Sequence, residues 1–479
     1  MLVDIEILSV IIYSEFERSI TNRGDRDMKI VIAGAGRVGY SIAHELSKEN
    51  HDITVIEQDE KRLREVENTL DVMTIAGNAA SYETLNELQL KDTDLLIAAM
   101  KEDELNMLCC LTAKKLGVKH TIARVRNRDY FRQTEFLKDD LGLTMTFNPE
   151  EDTASDISRI LRFPSASKVE SFANSKAESV EIRVGESNPL VNMKLYDLKA
   201  KTDANILACA VARGREVFIP RGDFEIKAGD RINIIGSYKE INKFIKKLGG
   251  RKHGVKTVLI LGGGNITYYL AKQLANLGIT IKIIEWDKKA CEKIKTAFPK
   301  ANVVLADGTN PEILTEEGIE MADAFVAATG DDENNVISSM FAMSMGVDKV
   351  IAKIKESHII RMLAGNSIDS IVQPSSIATQ KIVRYVRSMQ NAYDSSLDSL
   401  YYIFERKVEI MELKVNENAD YLDIPIKELN VRNDAIIASI IRNGACVIPT
   451  GDDVIKAGDD VIIATTHKGI TKLDKVLEA

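Results

Sequence analysis

Short apolar runs recur along this chain, separated by stretches whose apolar residues fall three and four positions apart. Between Lys29 and Pro149 the runs KIVIAGAG, DITVIEQ, DVMTIAG, DLLIAAM, HTIARV and LTMTFNP have strand length and strand composition. The intervening segments, such as GYSIAHELSKEN, carry helical spacing. Strand alternating with helix predicts right-handed crossovers and a parallel sheet. The pattern returns further on as VLILGGG, IKIIEWD, NVVLADG, AFVAATG, KVIAKI and SIVQP. Each series leads into an amphipathic connector, TASDISRILRF or SSIATQKIVRYVRSM, whose apolar positions make one stripe. Beyond the first connector, SVEIRVG, LKAKTD, ILACAVARG, EVFIP and RINIIGS predict a small α+β domain, with GDFEIKAGD as turn, strand and turn.

The recurrence is a tandem duplication. Gly34 and Gly262 are 228 residues apart, as are Glu57 and Glu285. Asn78 and Asp307 are 229 apart, as are Pro220 and Pro449, and Gly229 and Gly458. Nearly constant offsets over well-spaced landmarks do not arise by chance. The predicted fold class is α/β, with two doubly wound Rossmann-like sheets, each followed by a small α+β domain. The expected organisation is a Rossmann domain over 28–150, a helical connector over 151–179 and a small domain over 180–249. The second copy repeats it over 254–375, 376–407 and 408–479. Residues 1–27 are expected to form an extension outside the fold, and a chain starting at Met28 is expected to fold.

Gly34-Ala-Gly36-Arg-Val-Gly39 is a full GxGxxG that follows a strand and opens a helix. Glu57 ends the next strand, eighteen residues after Gly39. That context predicts a dinucleotide-type phosphate loop. The first glycine permits a tight turn, the second lets backbone amides approach phosphate, and the third lets helix pack on strand. The helix N-terminus supplies amides and partial positive charge. Glu57 is expected to accept from ribose hydroxyls and to repel a 2′-phosphate, which suits NAD, ATP or AMP. Met100 and Lys101 follow the fourth strand, Arg37 lies in the loop, and Arg124 ends the fifth strand within reach of phosphate. The second loop, Gly262-Gly-Gly264-Asn-Ile-Thr267, keeps two glycines and replaces the third by threonine, which is expected to push helix from strand and loosen the site. Glu285 is retained, and Asp307, Thr329 and Gly330 add polar groups at strand ends.

Charge and composition narrow the picture. A net charge of -9 disfavours nucleic acid as partner. The five cysteines, Cys109, Cys110, Cys209, Cys291 and Cys446, lack CxxC spacing, against a zinc ribbon or disulfide framework. The apolar run LVDIEILSVIIY is interrupted by Asp4 and Glu6 and falls short of the roughly 20 residues of a spanning helix. His44, His51, His120, His253, His358 and His467 show no metal-ligand spacing, and none marks a proton donor beside a nicotinamide. No catalytic residue or metal ligand is therefore assigned, and the chain is not expected to be an enzyme.

The run KIVIAGAGRVG…VIEQDEKRL…DLLIAAMKEDELNMLCC, with IPRGDFEIKAGD in the small domain, resembles the regulator-of-potassium-conductance domain pair. Its duplication in one chain is similar to the TrkA family, the peripheral subunits of Trk-type potassium uptake systems. The resemblance implies a cytoplasmic subunit binding NAD(H), with ATP or ADP as alternatives at the same sites. It also implies a homotetrameric ring on the inner face of the membrane beneath a TrkH-type potassium channel. Family contacts fall on Gly34, Ala35, Gly36, Arg37, Val38, Glu57, Met100, Lys101 and Arg124, and on Gly262, Gly263, Gly264, Asn265, Ile266 and Glu285. Two departures stand out: Asn78 replaces the family's usual aspartate, and Thr267 its third glycine. The alternatives are an NAD-dependent oxidoreductase of unusual tandem architecture, and an adaptor that binds no nucleotide.

Overall fold

A computed structural model of the protein describes residues 28–477 except 50, 164–165, 174–175, 249–253, 364–367, 369, 392–396, 405–406, 418 and 471. The extension expected over 1–27, and His253, lie outside the described residues. The chain divides into two compact units, Met1–Asn148 with Tyr385–Tyr393, and Pro149–Arg384 with Asp394–Ala479.

In the first unit the six expected runs are strands: β1 (Lys29–Ala33), β2 (Asp52–Glu57), β3 (Met73–Ala76), β4 (Leu95–Ala98), β5 (His120–Arg124) and β6 (Met145–Phe147). They form one parallel sheet in the order β3-β2-β1-β4-β5-β6. Every residue of β1 after Lys29 is buried, as a central strand covered on both faces requires. Helix α1 (Arg37–Leu46) follows β1 and buries Val38, Ile42, Ala43 and Leu46, one face of a 3.6-residue period. Helix α2 (Asp103–Lys115) follows β4 and buries Cys109, Cys110 and Ala113 against the sheet. The strand order reverses between β1 and β4, and the crevice at their carboxyl ends is where open α/β sheets take ligands.

The second unit begins with α3 (Pro149–Arg162), the expected connector helix. Proline and three acids occupy its first turn and Arg159 and Arg162 its last, which matches the helix dipole. Beyond it lie β7 (Lys168–Phe172), β8 (Ala177–Arg183), β9 (Ile206–Arg213), β10 (Glu216–Phe218) and β11 (Arg231–Gly236). These form an antiparallel sheet ordered β10-β9-β11-β8-β7. The interval 151–179 is thus not wholly helical. KVESF reads as polar, yet its ladder with β8 and the burial of Val169 and Phe172 make it a strand. GDFEIKAGD holds only one bridge, Lys194 to Glu225, because its amides and carbonyls pair with the Asn192–Tyr196 segment.

The second Rossmann sheet comprises β12 (Thr257–Leu261), β13 (Thr280–Glu285), β14 (Asn302–Leu305), β15 (Ala324–Ala327), β16 (Lys349–Lys353) and β17 (Ser370–Val372). Its order, β14-β13-β12-β15-β16-β17, repeats the first. Helix α4 (Asn265–Asn276) follows β12, and α5 (Asp332–Ser344) follows β15. Helix α6 (Pro374–Asn391) leads to β18 (Leu397–Ile403), β19 (Val408–Lys414), β20 (Ala435–Arg442), β21 (Ala445–Val447) and β22 (Asp460–Thr465). Strand β18 again falls inside an interval, 376–407, expected to be helical.

The connectors are packed elements. Ala154, Ile157, Ile160 and Leu161 of α3 join Ile266, Leu270 and Leu274 of α4 in one core. The helix leaving the first copy thus completes the nucleotide fold of the second. Each buried isoleucine or leucine there contributes about 1.5–3 kcal/mol. The end of α6 groups with the first unit, where Arg387 makes a two-pronged pair with Glu49, Nε to Oε2 at 2.9 Å and a terminal nitrogen to Oε1 at 2.7 Å. The two small sheets share a core that includes Phe172, Cys209, Ile235, Ile403, Ile410 and Ile462. Among the described residues no helix is long and apolar enough to cross a membrane.

Candidate functional site

The three glycines of the first loop are there for different reasons. Gly34 has φ +99°, and a Cβ on it would lie 3.0 Å from the Met100 nitrogen. Its own N–H donates to Ile56 O at 2.8 Å, tying the end of β1 to β2. A Cβ on Gly39 would stand 1.9 Å from Gly34 O. The fold demands both residues. Gly36 is different: its φ of -64° and ψ of 177° suit any residue. A Cβ there would meet nothing within 4 Å. It is the N-cap of α1 and provides no side-chain cap, where Asp, Asn, Ser or Thr would satisfy a first-turn amide. Neither backbone nor packing explains this glycine. The space above it, facing helix N–H groups that no intrahelical carbonyl can reach, fits an anion.

Glu57 is buried and holds the loop. Its Oε2 accepts from Ala35 N at 2.7 Å, and its Oε1 from Gln58 N at 2.9 Å and Asp59 N at 3.0 Å. A carboxylate offers about four acceptor positions. Three are taken by these amides, which leaves room for one ribose hydroxyl, so the acid expected to accept from ribose also holds the loop.

The ends of β4 and β5 are stapled by a residue that sequence reasoning missed. Asn106 is fully buried on α2. Its Oδ1 accepts from Met100 N at 2.8 Å, and its Nδ2 donates to Met100 O at 3.1 Å and Arg124 O at 3.0 Å. The Arg124 guanidinium also donates to Met100 O, so it braces the strand ends. Asp103 accepts from Arg126 N at 2.8 Å and Asn127 N at 2.6 Å. The structure brings Met100 and Arg124 together at the sheet's carboxyl edge, where β1 also delivers Gly34 and Gly36. Val38 is buried under the loop, whereas Arg37, Lys101 and Asn78 are exposed. Lys101 Nζ lies 4.0 Å from Glu102. Asn78 Oδ1 accepts from Ala80 N at 3.0 Å within its own turn.

The second loop has the same frame. Gly262 has φ +101° and donates to Ile284 O at 2.9 Å. Gly264, the N-cap of α4, has ordinary angles, φ -76° and ψ -172°, and open space where a Cβ would sit. Glu285 accepts from Gly263 N, and from Asp287 N at 2.7 Å. The expectation that Thr267 loosens this loop is corrected. Thr267 is fully buried and its Oγ1 donates to Gly262 O at 2.6 Å. The hydroxyl bonds to the carbonyl that a bare methyl would crowd, and the Gly262 turn keeps the angle of Gly34.

The braces repeat as well. Asn335 Oδ1 accepts from Thr329 N at 3.0 Å, and Nδ2 donates to Lys353 O at 2.9 Å. Asp332 accepts from Lys355 N at 2.7 Å and Glu356 N at 2.9 Å. Lys353 stands where the first copy has Arg124, and its ammonium donates to Thr329 O. Burial, reinforced by nearby Lys355, pulls that amine down to about 8. Lys355 donates to Gly330 O. Asp307 accepts from Thr309 N and Oγ1, which holds its carboxyl below the usual range. Asn265 is exposed and Ile266 buried. The one signal for the braces was the recurrence of DELN, from Asp103, as DENN, from Asp332.

Among the described residues no group of His, Cys, Asp and Glu is placed to hold a metal. The five cysteines are free thiols, and burial pushes Cys109 up to about 12.

The TrkA-N domain profile matches residues 30–149 and 258–374, and the TrkA-C domain profile matches 180–249 and 410–478. The chain belongs to the TrkA family. A Trk system potassium uptake protein TrkA homolog of Archaeoglobus fulgidus is 32% identical over 422 residues, 88% of this chain and 93% of that one. The Trk system potassium uptake protein TrkA of Halomonas elongata is 33% identical over 363 residues, 75% and 79% of the two chains. Among solved structures, the GsuK RCK domain superposes with TM-score 0.60 at 16% identity, covering 93% of this TrkA-family chain and 94% of its own. The GsuK channel bound to NAD gives 0.59 at 16% identity, covering 99% and 84%. That likeness is one of fold, and it spans both copies.

Proposed function

We propose that this TrkA-family chain is a nucleotide-binding regulatory subunit that gates a Trk-type potassium channel in response to NAD(H) or adenine nucleotides. The observation that carries the reading is the pair Gly36 and Gly264. Each caps a helix badly, has ordinary backbone angles, and faces empty space beside a buried, loop-holding glutamate. The phosphates of the ligand rest on the amides of each loop, with Glu57 or Glu285 beside the ribose. At the far rim, Met100 and Arg124, or Thr329 and Lys353, meet whatever lies beyond the phosphates. The GsuK channel bound to NAD, similar in fold, supports the ligand class and a channel as partner. A homotetramer on the inner membrane face, under a TrkH-type partner, is the assembly proposed.

A ligand shifts such a device only by its differential affinity for two states. A coupling of about 1–3 kcal/mol changes channel opening roughly five- to hundredfold. The test is potassium flux through the chain reconstituted with its channel, alongside competition of NADH, NAD, ATP and ADP for the isolated protein. Flux indifferent to every nucleotide, with binding intact, removes the gating proposal. Absence of all nucleotide binding removes the reading entirely.

A further inference from the structure

Trp286 is the one tryptophan in the chain, and it is 77% exposed. Indole is large and apolar and is normally well covered, so a solitary exposed tryptophan is informative where a smaller side chain is not. It directly follows Glu285, the acid whose carboxylate holds the second glycine loop. Leu305 pairs with Glu285 across the β13–β14 ladder and is itself 54% exposed. Two bare apolar side chains therefore flank the ribose acid. The first copy has Gln58 and Ala76 at the corresponding places, after and opposite Glu57.

The geometry points to Trp286 as the base-stacking residue of the second nucleotide site, with Leu305 beside it, selecting ligands that carry an adenosine diphosphate moiety. The inference rests on the nucleotide reading above and adds the group that recognises the base. A nucleotide whose phosphates sit over Gly264 and whose ribose meets Glu285 directs its base past the end of β13, where Trp286 begins the next loop. A purine ring laid on the indole removes one face of each ring from water and needs no hydrogen-bonding partner. This also accounts for the difference between the copies. The first site leaves the base on a polar rim, while the second provides an aromatic platform, so the second discriminates more strongly for the base.

The experiment uses the full chain carrying Gly36→Asp, which blocks the first loop, with intrinsic tryptophan emission and calorimetry read together. ADP and NAD are expected to change the emission as they bind, and ribose 5-phosphate to leave it unchanged. Trp286→Ala should weaken ADP binding at this site about tenfold, in line with base–aromatic stacking elsewhere, while Trp286→Phe recovers most of the affinity. Gly264→Asp should abolish the emission change. ADP binding at the second site with emission unmoved, and affinity equal in Trp286→Ala, overturns the inference and leaves the nucleotide reading standing. No binding at the second site, with the first intact in the unmodified chain, also overturns it. Only the absence of binding at both sites sinks the nucleotide reading itself.

Discussion

Replacing Gly36 by aspartate separates fold from ligand. Position 36 has φ -64° and ψ 177°, which an L-residue adopts without strain. The new Cβ enters a space with no heavy atom within 4 Å. Aspartate is also a better N-cap than glycine, by a few tenths of a kcal/mol. The variant's stability should therefore stay within about 0.5 kcal/mol of the parent, or rise slightly. The carboxylate, however, occupies the place proposed for phosphate and brings like charge against it. Loss of two charge-assisted amide bonds, about 1.5–3 kcal/mol each, removes at least ~3 kcal/mol. That is more than a hundredfold in affinity. Calorimetric titration with NADH and ADP, paired with a thermal scan, measures both sides. The first site should vanish from the titration and the melting transition should hold. Affinity unchanged at the first site refutes the phosphate assignment. A collapsed melting transition refutes the claim that this position is sterically idle.

Gly39→Ala should behave in the opposite way: its methyl falls 1.9 Å from Gly34 O, so α1 must move. The expected loss is about 1–3 kcal/mol in chemical denaturation, with faster amide exchange across the loop. Asn106→Ala should lose about 1–3 kcal/mol by the same assay, because it strands the half-buried amide of Met100 and the carbonyl of Arg124 while Met100 O keeps the Arg124 guanidinium, and should weaken nucleotide binding as the β4 end loosens. Lys353 titrates near 8 when folded and near 10.5 when unfolded. The unfolded chain binds the extra proton between those values, so stability from this residue rises with pH across the window and is lost as pH falls through 8. Lys353→Met should flatten that slope in urea titrations at pH 7.5 and 10, and an unchanged slope would show that the amine is not desolvated. Arg387→Ala leaves Glu49 without its two-pronged partner, and a loss of about 2–4 kcal/mol is expected, measured by denaturation.

Much of the frame was legible in the residues. The repeat, the two sets of six strands and the glycine loops follow from period, spacing and offset, because parallel strands buried on both faces leave near-continuous apolar runs. The roles of Gly34 and Gly39 were likewise readable, since a tight turn and a close helix crossing tolerate little else. The rest of the site was not. Asn106 and Asn335 look like solvent-facing positions of polar helices, yet each is buried and holds two strand ends together. Arg124 reads as a residue within reach of phosphate, and its guanidinium also holds a backbone carbonyl, as Lys353 does in the second copy, which no motif signalled.

What the sequence by itself determined is local or periodic: which segments are strands, which turn needs glycine, and that the whole pattern occurs twice. What only the tertiary structure decided depends on partners far away along the chain. KVESF becomes β7 because β8 offers it a ladder, and α3 buries its stripe on α4 of the other copy because that surface is the complementary one available. Thr267 fits where a third glycine was expected because one carbonyl, supplied by Gly262, lies 2.6 Å from its hydroxyl. A pattern of apolar and polar residues states what must be covered, and only the folded chain states what covers it.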